Sequence, residues 1–210
     1  MLLSFIRIPA LVISVVTVAF LSGCTSATKA PVLKYYVLNS LDANTSLVEK
    51  KEGKLLSVEV ASLRIPQYLE RPQIVTRKSG SRLKVAEYHQ WGGGLRKSLM
   101  RVLAANLSKL LATPNIAISP YVPPEPSDYL VELEILQFER DSQGRVILSV
   151  QWRLLKGEDR TAVGSQITNL SSPPVDADDY DATVSEMSRL YGELSSVIAK
   201  AMLKHYEEQS

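Results

Sequence analysis

Hydrophobic positions along this chain recur with two periods, and the switches between them mark out its elements. Tyr35 to Leu38 is a short β-prone run. Leu56, Val58 and Val60 then alternate with Ser57 and Glu59, the two-residue period of a half-buried strand. Gln73 to Arg77 and Leu83 to Ala86 read as two more strands, with Lys78-Ser79-Gly80-Ser81 as the hairpin turn between them. From about Trp91 the period lengthens. Leu95, Leu99, Val102, Leu103, Leu107, Leu110 and Leu111 recur at three and four residues, which predicts one amphipathic helix that Pro114 stops.

The second half repeats the order strand, strand, helix. Tyr129, Val131, Leu133 and Ile135 share one face, after which Leu136 and Phe138 switch parity, predicting a bulge or a twist. Asp141 to Gly144 is a turn, and Val146, Leu148, Val150, Trp152 and Leu154 form the clearest alternating strand; Thr161 to Leu170 is placed to pair beside it. A closing helix carries the stripe Tyr180, Val184, Met187, Tyr191, Leu194, Ile198 and Ala201. Asp176, Asp178, Asp179 and Asp181 crowd its start and Lys200 and Lys204 lie near its end, both favourable to the helix dipole. The expected class is α+β: a single domain over 32–210, with a mostly antiparallel sheet and two long amphipathic helices packed on one face. Strand order does not follow from the pattern.

The first residues obey neither period. Ile8 to Leu21 is nearly all apolar and about fourteen residues long, short of the roughly 20 needed to span a bilayer core. Arg7 precedes it, and Leu21-Ser22-Gly23-Cys24 closes it with small residues before the only cysteine. This reads as a lipoprotein signal peptide over 1–23 and an acylated polar linker over 24–31, with Cys24 as the lipidation site. A covalent lipid on Cys24, of the palmitate type, is then the one prosthetic group expected. Thr25, where an Asp would favour inner-membrane retention, points to outer-membrane delivery on the periplasmic face.

Charge adds an exclusion. The chain has 24 basic and 22 acidic residues, interspersed rather than blocked, so no concentrated basic surface is available for nucleic acid. The two histidines, His89 and His205, are far apart and the single Cys is used for lipid, so no metal site is expected. Both histidines are expected in solvated or capping roles, His89 near a helix start. Gly-x-Ser-x-Gly is absent, Glu132 and Glu134 fall on the solvated face of their strand, and Gly92-Gly93-Gly94 lacks a phosphate-loop context. No catalytic residue is assigned, and the chain is not read as an enzyme. The remaining distinctive stretch is Ser62 to Val75, where two prolines limit helix and apolar side chains sit in a loop. Arg64, Pro66, Tyr68, Leu69 and Arg71 are its candidate partner contacts. The competing reading is a loop pinned to its own core by Tyr68 and Leu69.

The order of these landmarks is familiar. Cys24, Lys34-Tyr35-Tyr36-Val37-Leu38, the Arg64–Val75 segment, Trp91 with its leucine-rich helix, Phe138, Val146 to Trp152, Pro173-Pro174-Val175 and the closing helix together resemble the ABC-type transport auxiliary lipoproteins of the paraquat-inducible kind. The resemblance implies an accessory of an intermembrane lipid transport system. Its implied partner is an inner-membrane protein with MCE (mammalian cell entry) domains, docked at the outer membrane in support of envelope integrity. It further implies contact with lipid and a ring-like homo-oligomer. The alternative is a structural or assembly lipoprotein without lipid passage. Lipid handling predicts a sizeable apolar cavity or pore; the structural alternative predicts a closed core.

Overall fold

The computed structural model describes residues 31–48, 55–121, 125–157 and 159–209, so the signal segment and Cys24 lie outside the described residues. The folded body begins at Leu33. Its strands are β1 (Lys34–Tyr36), β2 (Val58–Arg64), β3 (Gln73–Ser79), β4 (Arg82–Trp91), β5 (Ile116–Ile118), β6 (Tyr129–Arg140), β7 (Arg145–Lys156) and β8 (Ala162–Pro174). A 3-10 turn covers Gln67–Leu69, and the helices are α1 (Leu95–Leu110) and α2 (Tyr180–Glu207).

The eight strands form one sheet. Its long ladders, β3–β4, β6–β7 and β7–β8, are antiparallel, because short turns join consecutive strands. The parallel ladders are shorter: β1 on β4, and β2 between β5 and β6. Strand β6 organises the sheet. One edge carries β7 along its whole length, while the other carries β2 up to Glu134 and touches β3 at Thr76↔Arg140. The predicted parity switch is a bulge at Leu136, which drops out of register between Ile135↔Val150 and Gln137↔Ser149. It leaves Leu136 exposed and keeps both Ile135 and Phe138 inside.

Both helices bury their leucine stripes against the sheet face formed by Val58, Val60, Val131, Leu148 and Val150. Leu99, Leu103, Leu107, Leu190, Leu194 and Ile198 are fully enclosed. One polar tie runs through this core. Asn106 Nδ2 donates to Ser195 Oγ at 3.0 Å, and Asn106 Oδ1 accepts from the Leu41 amide at 2.8 Å. The segment after β1 is thereby fastened across both helices. Lys109 adds bonds to Ser40 Oγ and to the Leu41 carbonyl.

The helix starts differ. At α2, Asp179 caps the first turn by accepting from the Ala182 amide at 2.8 Å, a role within the acidic cluster that the dipole argument did not single out. At α1 the capping residue is Gly94, with no side-chain cap and no acid in the first turn.

His89 departs from expectation. It lies within β4, stacked on Tyr180 at 3.9 Å between ring centroids and 2.8 Å from the Tyr36 hydroxyl. Strand β4 runs further toward Trp91 than its apolar pattern implied, because its last residues pair with β1. His205 sits in the last turn of α2, 2.9 Å from the Tyr129 hydroxyl.

Candidate functional site

The segment singled out in the sequence folds as a cover over the bulged end of β6. Pro66 enters the 3-10 turn in extended conformation, and the Leu69 amide donates back to its carbonyl at 2.9 Å. Leu69 then points inward and is 3% exposed, so it anchors the loop and presents no contact to a partner, a correction to its reading as a contact residue. Tyr68 is half-buried and directed the same way: its hydroxyl donates to Glu139 Oε2 at 2.7 Å. Arg64, Glu70 and Arg71 remain exposed and Pro66 is intermediate. Pinning therefore describes Tyr68 and Leu69, while the arginines keep an open face.

Glu139 is the residue that sequence reading missed. It is fully buried, and its two oxygens collect the Tyr68 hydroxyl, Nε and Nη2 of Arg77 at 2.9 and 2.7 Å, Gln137 Nε2 at 3.1 Å and the Phe138 amide at 3.2 Å. A buried carboxylate is tolerable only when paired and hydrogen-bonded in this way. Burial, then the bond to Glu139, push the Tyr68 phenol far above its usual range, so it remains a donor at every physiological pH. The signal was present as the parity switch: after the bulge, Glu139 opposes Phe138 and faces the side that the loop covers.

Beyond this clamp the loop borders a groove of about 470 Å³. Ile65, Arg71 and Pro72 form one wall; Trp91, Gly94 and the first turn of α1 form the other. The Trp91 amide donates to the Pro72 carbonyl at 2.7 Å, which fixes the walls together. Two stretches noted separately in the sequence, the Arg64–Arg71 loop and Gly92-Gly93-Gly94, thus meet at one place. Its electrostatics are one-sided. Arg96 and Lys97 occupy the first turn of α1, where the helix dipole disfavours cations, and Arg71 faces them across the groove. Glu70, 3.7 Å from Arg96, is the acid in the lining. Both sides of that pair are half exposed, so it is worth little.

Glu132 and Glu134, the tempting acid pair, are ion-paired on the outer sheet face with Arg153 and Arg64. Among the described residues no group of three or more His, Cys, Asp or Glu could hold a metal. None of their helices is long and apolar enough to cross a membrane.

The family model for ABC-type transport auxiliary lipoprotein components matches residues 36–199, from the buried Tyr36 of β1 to Ala199 near the end of α2. The chain belongs to that family. Its lipoprotein and transport-auxiliary character follow from membership, as the order of landmarks implied. Among solved structures, an uncharacterised protein shares 21% identity and a TM-score of 0.63, with 81% of this chain and 99% of that one covered. A Xanthomonas campestris protein shares 15% identity and a TM-score of 0.68 over 84% of this chain and 99% of its own. At these identities the likeness is one of fold. No curated protein matches the sequence significantly. In this auxiliary lipoprotein the clamp at Glu139 and the groove beside it belong to the same matched region.

Proposed function

We propose that this auxiliary lipoprotein is the outer-membrane end of an MCE-type intermembrane lipid transport system, anchored through lipid on Cys24 and docking the periplasm-spanning MCE protein. The family match carries this reading, since it makes the chain an auxiliary component of transport. The groove beside the Tyr68–Glu139–Arg77 clamp supports it. A rigidly held loop carrying Arg71, an aromatic wall, and Arg96 and Lys97 at an uncapped helix start form a surface suited to an acidic segment of a protein partner.

Tagged protein crosslinked in cells should recover an inner-membrane MCE-domain protein. Reversing Arg71 and Arg96 together to Glu should cut that recovery by roughly tenfold, about 1.4 kcal/mol of docking energy, while the purified variant melts as the parent does. Recovery of no MCE protein would remove the role; undiminished recovery by the double variant would move the docking surface elsewhere.

One observation favours the alternative of a structural or assembly lipoprotein without lipid passage through the chain. The four grooves described, about 250 to 530 Å³, are surface features beside a filled core. A ring of copies would enclose a pore between protomers, and lipid would then pass between or beside them. Sedimentation of the detergent-purified protein tests this: a monomer with no bound phospholipid favours the alternative.

A further inference from the structure

Arg140, the last residue of β6, is 7% exposed. Its Nη1 donates to the Asp176 carbonyl at 2.7 Å, while its Nε is buried with no partner. Among the described residues no carboxylate pairs with it. Its neighbour Glu139, equally buried, is matched by Arg77 and Tyr68, so the same strand end holds one compensated charge and one uncompensated charge. An unpaired buried guanidinium is costly, and such a charge calls for a counterion from outside the chain.

The surroundings admit one. Arg140 lines a cavity of about 530 Å³ together with Arg77, Lys78 and Lys84. Two acids share the lining. Asp141 is engaged by Arg145 at 3.1 Å and by the amides of Gln143 and Arg145, and Asp176 is exposed. Lys84 lies 3.7 Å from Asp178 in a loose, exposed pair. The lining is net cationic. Gly144 closes one wall: its φ is +85°, and a Cβ there would stand 2.8 Å from the Val175 carbonyl, so the turn is held tight against the end of β8. Because Nη1 is occupied, Arg140 retains the Nε side of its guanidinium, which can form a two-point fork on a tetrahedral oxyanion.

We propose that this cavity is an oxyanion-binding site for a phosphate group, free or as a phospholipid headgroup, with Arg140 as its buried ligand and Lys78 and Lys84 at its rim. The inference does not depend on the docking role.

The test uses the full acylated chain in detergent. Inorganic phosphate is titrated against sodium chloride at matched ionic strength, and dihexanoyl phosphatidylglycerol against dihexanoylglycerol, followed by phosphorus NMR line broadening and thermal shift. Saturable binding of at least one phosphate compound is expected. Phosphate alone would identify a free oxyanion; tighter binding of the phospholipid would identify a headgroup. Arg140→Met should abolish binding, and it should melt no lower than the parent without phosphate, since it removes an unpaired buried charge. Arg140→Lys should bind roughly tenfold more weakly because an ammonium cannot form the fork. Lys84→Gln, a rim change that leaves the core intact, should weaken binding by about threefold. Binding of neither compound overturns the proposal, as does undiminished binding by Arg140→Met. If Arg140→Met does not fold, undiminished binding by Arg140→Lys and Lys84→Gln overturns it instead.

Discussion

Glu139 and His89 show how single side chains are set by what covers them. Glu139 is buried by the loop that its own oxygens hold in place, through Tyr68 on one side and Arg77 on the other. Glu139→Ala removes the acceptor shared by Tyr68 and Arg77; because the Arg77 side chain is 26% exposed and keeps water, the loss should be about 1–3 kcal/mol. Urea unfolding should show that loss, with Glu139→Gln losing less because it keeps an acceptor. His89 is wedged between Tyr36 and Tyr180, and its pKa is lowered first by burial and next by the charges of Lys34 and Lys84, against the opposing pull of Asp181 and Asp178. The unfolded chain therefore binds the proton more tightly than the folded one. Stability is complete above the unfolded value of about 6.5 and falls as pH drops through it toward the lowered folded value. Melting temperatures across that window should decline on acidification, and His89→Gln should flatten the decline.

At the scale of elements, periodicity predicted most of what formed. Strands β3, β6 and β7 and both helices lie where the apolar pattern places them, β4 starts there and runs five residues past Ala86, and the parity change at Leu136 is a bulge. Three features were illegible. Strand β5 has only three residues, too few to show a period. Strand β2 runs parallel between β5 and β6, and a two-residue period reports which face is buried, not which strand lies alongside. The segment after β1 carries little pattern because its position depends on Asn106, a polar residue enclosed between the helices. Asn106→Ala strands the Leu41 amide and disturbs Ser195. It should cost about 2–3 kcal/mol by urea unfolding, the penalty for unsatisfied buried polar groups.

For the whole molecule the proposed anchor at Cys24 sets a length. The seven residues 25–31 have a contour of roughly 25 Å at about 3.5 Å each, so under that proposal the body would work close to the membrane surface. Cys24→Ala should move the protein from the membrane pellet to the soluble fraction. Unchanged pelleting would assign the anchoring to something other than lipid. The groove beside the Glu139 clamp and the Arg140 cavity each join parts distant in sequence: residues 65–72 with 91–97 in the first, and 76–84 with 140–144 and 174–177 in the second.

Sequence alone determined the periods, and through them the α+β class and the faces turned inward. Those follow from local geometry, since a side chain two or four positions along shares a face whatever the rest of the chain does. Tertiary structure alone decided which charges are buried. Glu139 and Arg140 sit next to each other in an ordinary strand pattern. Only the loop over one and the approach to α2 beside the other remove them from water, leaving the first paired and the second without a partner at Nε.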